Sequence, residues 1–344
     1  MSTNINIFTT ADNNYSQHLS VMITSILKNT HADDNIVFHV FDFGIDSKAI
    51  LAIEQLKKIK NFAIEYIKIT EEIFEKLQQY KSVSSHPDYI SISTYVRLVI
   101  FDFYKDIKRC LWIDADVIVS ESLNELFNYN ISDFTIGAVV DIWDWWKPPF
   151  KNNLKLKEES LYFNAGILLI NLENYNDTDM YTKLISKMKD KEVILDLADQ
   201  DILNLVFEDD VFILPIKYNL QRPIFTSTYF VDREKYSKLE IKLAKKSYKT
   251  QGIVHYLNKD KPWSPIKEWP NKNVWSLYWY YIKFTPYKNV RFKFLIKSLL
   301  HHFEIIWKNK KKSAIVKIIK TIIKIFNLFI LIPKYTNLVY KIKK

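Results

Sequence analysis

Two carboxylates one residue apart, Asp114 and Asp116, close the apolar run Arg109-Cys-Leu-Trp-Ile-Asp-Ala-Asp-Val-Ile-Val119. Charge at the end of such a run needs a partner, because desolvating a carboxylate is costly unless it is paired or bound to a cation. In an extended segment residues i and i+2 point the same way, roughly 6–7 Å apart along the chain. Such a pair can close on one hard divalent ion and leave its other positions to phosphate oxygens. That is a way to hold a nucleotide diphosphate. The same spacing recurs at Asp177/Asp179 and Asp199/Asp201, and strand-end aspartates also cap turns. The pair acquires meaning only from the rest of the chain.

Four further segments carry polar residues in apolar surroundings. Tyr162-Phe-Asn-Ala-Gly-Ile-Leu-Leu-Ile-Asn171 places Asn164 and Gly166 at the mouth of a buried strand, as ligand groups or as a strand-entry turn. Ala198-Asp-Gln-Asp-Ile-Leu-Asn204 opens a helix, where Asp199 or Asp201 can act in chemistry or merely cap it. Ile253-Val-His-Tyr-Leu-Asn-Lys-Asp-Lys-Pro-Trp263 puts His255 after a short apolar run and Lys261 six residues on. A lone histidine there is commonly a satisfied core residue. Arg97, in Ser93-Thr-Tyr-Val-Arg-Leu, reads equally as a surface charge.

Composition removes other chemistries. Four glycines, Gly44, Gly137, Gly166 and Gly252, cannot build a Gly-x-Gly-x-x-Gly dinucleotide loop or a P-loop. A nucleotide must be held another way, and a metal bridge fits. No His-Glu-x-x-His or Gly-x-Ser-x-Gly occurs, against zinc proteases and serine hydrolases. The one cysteine, Cys110, excludes an internal disulfide and a cysteine-built metal site, and its apolar context makes it a core residue. At 48% apolar and 15% aromatic residues, the chain has the material for a large core. The N-terminal segment lacks a basic-then-apolar signal pattern, so export is not expected and a reducing cytoplasm is.

The elements that must position these groups alternate. Strands are expected at 6–10, 36–41 and 61–69, helices at 17–28, 47–60 and 93–104, with the Asp114/Asp116 strand next. This predicts an α/β fold with a mixed, mostly parallel sheet and helices on both faces. Asp12 with Asn14, and Asp114 with Asp116, then fall at strand C-terminal ends, where ligands of such sheets sit.

The motifs together resemble the retaining glycosyltransferases of family 8, which include bacterial lipooligosaccharide galactosyl- and glucosyltransferases and glycogenin. The resemblance runs from about residue 5 to 263, and the five segments follow the family order. It implies a single GT-A domain, a Rossmann-like nucleotide-diphospho-sugar transferase fold, over residues 1–265. An aromatic-rich connection would cover 266–290. The resemblance assigns Asp114, Asp116 and His255 to Mn²⁺, with Mg²⁺ as a possible substitute. It assigns Thr10, Asp12 and Asn14 to uracil and ribose, and Lys261 to the diphosphate of a UDP-hexose donor. Arg97, Asn164, Ala165, Gly166, Asp199 and Gln200 would surround the donor sugar. Ala115 and Asn258 would complete the nucleotide side. Asp141, Asp199 and Gln200 are the candidate catalytic residues, Asp141 on the acceptor side. Gln200, beneath the sugar, is a poor nucleophile, so front-face attack is expected, with the departing phosphate deprotonating the acceptor. Departures lie on the acceptor side. Leu257 and Asn258 stand where relatives often have glycine, and Tyr89 stands where some have histidine, with His86 nearby. Trp143, Trp145 and Trp146 could stack on acceptor sugars or pack a lid.

Charge separates the tail from the body. Residues 291–344 hold 14 basic residues and one acid, net +13; the remainder holds 35 basic and 38 acidic residues, net −3. The tail reads as two basic amphipathic helices closed by Pro333. These suit an anionic membrane surface, or packing on the body with a solvated lysine face. No nucleic-acid motif appears, and no nucleic-acid partner is expected. The expectation is a cytoplasmic enzyme, peripheral on the inner face of the membrane, that moves glucose or galactose to a lipid-linked glycan. A protein acceptor, or a catalytically silent glycan-binding scaffold, are the competing readings.

Overall fold

A computed structural model describes residues 4–291 except 89, 105, 143–149, 176–178, 190–191, 222–223, 226–237, 258–260 and 265–271. Tyr89, the Trp143–Trp146 loop, Asn258 and the basic tail beyond Arg291 therefore lie outside the described residues.

The chain alternates β1 (Asn4–Ala11), α1 (Ser16–Asn29), β2 (Asn35–Asp42), α2 (Ser47–Glu54), β3 (Ala63–Lys68) and α3 (Glu71–Ser82). A 3₁₀ segment (Ile92–Val99) precedes β4 (Arg109–Ile113), β5 (Val117–Val119), β6 (Ile136–Val140) and β7 (Phe163–Asn171). Then come α4 (Met180–Met188), α5 (Asp199–Val206), β8 (Val211–Ile213), β9 (Leu220–Gln221), α6 (Lys238–Ser247), β10 (Ile253–His255) and α7 (Lys272–Tyr281).

The main sheet runs β3-β2-β1-β4-β7-β6-β8. Strand β7 is antiparallel to β4 and β6; the other pairs are parallel. Alternate residues feed two cores, as a period of two requires. Ile5, Ile7, Leu111, Ile113, Ile167 and Leu169 pack with α1 and α2. Phe8, Cys110, Trp112, Leu168 and Ile170 pack with α3, the 3₁₀ segment, α4 and α5. A sheet covered on both faces explains the near-continuous apolar runs of its strands. Cys110 is fully buried, and burial pushes its thiol pKa up.

Local signals set the helices. On α1 the expected face of Leu19, Met22, Ile23, Ile26 and Leu27 is buried. Asp46 caps α2 by accepting from Ala49 N at 2.8 Å. The helix expected over 47–60 is α-helical to Glu54 and then tightens to 3₁₀ over Gln55–Lys58. The helix expected over 93–104 is mostly 3₁₀, with a single α turn at Ile100–Phe103. Three residues per turn put Thr94 and Arg97 in one row.

A second sheet, β5-β10-β9, is joined to the first through residues 114–116, between β4 and β5. Its central strand pairs His255 with Val117 on one side and Gln221 on the other. Register therefore carries a histidine from late in the chain to the residue after Asp116.

Candidate active site

Asp114 and Asp116 leave β4 at its C-terminal end, beside β1 and the turn that holds Asp12 and Asn14. Trp112 Nε1 donates to Asp114 Oδ1 at 2.8 Å, and Asp114 N donates to Gly166 O at 2.9 Å. His255, 2% exposed, brings Nε2 to 3.3 Å from Asp116 Oδ1 and 3.8 Å from Asp114 Oδ2. One donor atom from each of the three lies within 4.8 Å of the others.

Two observations fit this trio to a cation. Asp116 Oδ1 is buried and accepts no hydrogen bond of ordinary geometry. Gly166 keeps the space open: a Cβ there would stand 2.1 Å from His255 Cε1 and 2.9 Å from Asp114 Oδ2. Two carboxylates with one imidazole suit Mn²⁺. Lys261 Nζ donates to Asp116 Oδ2 and to Tyr256 O. Burial raises the Asp116 pKa, but Lys261 and His255 outweigh it and hold the carboxyl well below its ordinary range.

The residues expected to surround the donor sugar form one polar network. Arg97, 8% exposed, lies 4.8 Å above the Trp112 ring and donates to Ala165 O and, at 3.1 Å, to Asp114 Oδ1. Its Nε is 2.7 Å from Asp199 Oδ2. Burial pushes Asp199 up to about 7, against the opposing pull of Arg97. Between Ala138 and Val139 the β6–β7 register jumps from Leu168 to Asn164, so Ala165, Gly166 and Ile167 stand opposite no β6 residue. Such a bulge re-aims the strand. Asn164 donates to Asp141 Oδ2 at 3.0 Å and to Gln200 Oε1 at 3.1 Å. Gln200 Oε1 also accepts from Ala165 N at 3.1 Å, and its Nε2 donates to Asp141 Oδ2 and Tyr162 Oη at 3.1 Å each. Ala198, at φ 52°, supplies the sharp entry to α5 that aims Asp199 and Gln200 inward. A non-glycine residue there costs of order 1–3 kcal/mol. Asp201 anchors that entry, accepting from Leu197 N and Tyr162 Oη at 2.6 Å each.

Thr10, Asp12 and Asn14, expected to hold uracil and ribose, are half-buried or exposed. Thr10 donates to Phe41 O at 3.2 Å, and Asn14 donates to Asp12 Oδ2 at 3.3 Å. Asp12 Oδ1 accepts from Tyr15 N at 2.8 Å. Burial raises the Tyr15 hydroxyl pKa; Lys261 lowers it, and Asp116, Asp114 and Asp12 raise it. His18 stacks on Trp263 at 3.7 Å and ties the Lys261 segment to α1. Ala115 is buried between the two aspartates. His86 is exposed, 3.4 Å from Asp196.

Sequence reasoning did not single out Tyr15, His18, Tyr162 or Asn219. Asn219 is fully buried and bridges His255 and Asn164. Its only signal is an amide set between Tyr218 and Leu220 in Lys217-Tyr-Asn-Leu-Gln221.

The family described as Glycosyl transferase family 8 matches residues 6–267. The chain belongs to glycosyltransferase family 8. It is a glycosyltransferase with the GT-A fold. A putative glycosyltransferase of Haemophilus influenzae is 31% identical over 263 residues, 76% of this chain and 74% of that one. A lipopolysaccharide 1,2-glucosyltransferase of Escherichia coli is 27% identical over 299 residues, covering 84% and 81% of the two chains. The crystal structure of galactosyltransferase LgtC with donor and acceptor sugar analogs superposes with a TM-score of 0.62 at 26% identity, covering 80% of this chain and 95% of that one.

Proposed function

We propose that this family 8 enzyme transfers glucose or galactose from a UDP-sugar to a lipid-linked glycan of the lipopolysaccharide type, with retention of configuration and with Mn²⁺. The observation that carries the reading is the meeting of Asp114, Asp116 and His255 beside Lys261. The glucosyl- and galactosyltransferases among its relatives support a hexose. Asp114, Asp116 and His255 would hold Mn²⁺ there, and the ion would supply positive charge to oppose that developing on the leaving UDP.

The chain's own groups do the rest. Lys261 adds a second positive charge where charge builds on the β-phosphate. Arg97 and Asp199 hold the sugar from opposite ends of one ion pair, and Asp141 faces the acceptor. Gln200 Oε1 already accepts two hydrogen bonds, from Ala165 N and Asn164 Nδ2, which engage both of its lone pairs. This favours front-face attack, in which the acceptor oxygen bonds to the anomeric carbon as the C–O bond to UDP breaks. The acceptor proton passes to the departing phosphate. Residues 1–265 carry catalysis, 266–290 connect, and 291–344 bind an anionic surface on the cytoplasmic side. None of the described helices is long and apolar enough to cross a membrane.

Purified protein with Mn²⁺ and a panel of UDP-sugars, scored for UDP release, tests the reading. Turnover with UDP-glucose or UDP-galactose is expected; none with any UDP-hexose points to a silent scaffold. A sugar trapped covalently on wild-type Asp199, Gln200 or Asp201 would refute front-face attack. Truncation after residue 290 should release the protein from anionic vesicles and spare hydrolysis. A truncated form that stays bound refutes the role of the tail.

A further inference from the structure

Every polar end in the chain Gly166–Asn164–Asn219–His255 is fixed by one backbone amide. Gly166 N can only donate, and its partner at 3.1 Å is therefore the Asn164 oxygen. The Asn219 atom 2.8 Å from that same oxygen must then be its NH₂. The other end of the Asn219 amide is its oxygen, 3.1 Å from His255 Nδ1. An oxygen there needs a donor, and Nδ1 must carry the ring proton. The far end agrees: the Asn164 NH₂ faces Asp141 and Gln200 oxygens.

We propose that Asn219 is a positioning residue that holds His255 in its Nδ1–H tautomer, leaving the Nε2 lone pair aimed at the point where Asp114 and Asp116 converge. This rests on the reading of that point as a metal site. Ligating histidines commonly depend on such a second hydrogen bond, and its loss typically costs roughly 10–100-fold in metal affinity. Asn219 also joins the metal side to Gln200 through Asn164, and so links the two halves of the site by a chain of fixed polarity. Asn219 is fully buried, and water does not compete for its amide.

Two substitutions separate this role from packing. Asn219→Asp keeps an oxygen for the Nδ1 proton and loses the donor to Asn164. Asn219→Leu loses both. Free Mn²⁺, counted by electron paramagnetic resonance, should show affinity kept within about threefold in N219D and lowered roughly 10–100-fold in N219L. Equal loss in both, or none in N219L, overturns the proposal. If either variant fails to fold, the metal-free wild type decides. With ¹⁵N-labelled histidine, and His255 identified by its absence in His255→Gln, the pH is raised until the ring carries one proton. That proton on Nδ1 supports the proposal; on Nε2 it overturns it. A wild type that binds no Mn²⁺ refutes the metal reading itself, whereas the tautomer measurement judges Asn219 without any metal.

Discussion

Gly166 stands so close to His255 that a Cβ on it would lie 2.1 Å from the imidazole Cε1. The same atom would meet Asp114 Oδ2 at 2.9 Å. Neither neighbour is a loose chain end. His255 is buried with Nδ1 tied to Asn219, and Asp114 is held by Trp112 and Arg97. Gly166→Ala should therefore displace donor atoms. A fall in Mn²⁺ affinity of roughly tenfold or more is expected by calorimetry, with the overpacking itself costing about 1–3 kcal/mol of stability in urea denaturation. A G166A protein that binds Mn²⁺ as the wild type does would show that these atoms are not the ligands.

Arg97 faces three acceptors on three elements: Ala165 O on β7, Asp114 after β4 and Asp199 on α5. A buried carboxylate stripped of its partner costs about 3–5 kcal/mol. Arg97→Met should destabilise by up to that much, and by most at alkaline pH, because Asp199, 4% exposed and already pushed up to about 7 beside Arg97, escapes the penalty wherever it can take up a proton. Arg97→Lys should recover only part, since a compact ammonium does not span the three acceptors that the planar guanidinium reaches and loses the flat contact with Trp112. Adding Asp199→Asn to Arg97→Met removes the stranded charge, and the double variant should be more stable than the two single losses summed. Urea midpoints for the four proteins measure this. Simple additivity would mean that the two charges do not depend on each other.

The acidic pair was legible because two charges at the end of a buried strand contradict their surroundings. The alternation of strands and helices was legible because the sheet is covered on both faces. Helix α3 was not anticipated, though its signals are local: Thr70 accepts from Ile73 N at 3.3 Å, Glu71 and Glu72 fill the first turn, and Ile73, Leu77 and Tyr80 share the buried face. The 3₁₀ winding of Ile92–Val99 was hidden for another reason. Over eight residues, periods of 3.0 and 3.6 differ by little more than one position, and packing decides between them. Asn219 was illegible in principle. It sits where a 3₁₀ turn meets the two-residue strand β9, with no period to set its direction. Its partner His255 is 36 residues away, joined to it by sheet register alone.

His18 lies flat against Trp263, planes 18° apart, with Nδ1 2.7 Å from Tyr278 Oη and the Tyr15 ring edge-on. Burial holds its imidazole down at about 3; Asp116 and Asp12 pull it up and Lys261 pushes it down. An unfolded histidine titrates near 6.5. Between those values the unfolded chain binds a proton that the folded chain refuses. The stability contribution is whole above pH 6.5 and declines as pH falls, by up to about 1.4 kcal/mol per unit for this one group. His18→Phe keeps a ring against Trp263, removes the titration and gives up the Tyr278 hydrogen bond, a loss that does not vary across this range. Urea denaturation at pH 6.5 and pH 5 should show the wild type losing about 1–2 kcal/mol more than H18F over that interval. Parallel stability curves for the two proteins would mean that His18 takes up its proton without disturbing the stack, and that the Lys261 segment is anchored by other contacts.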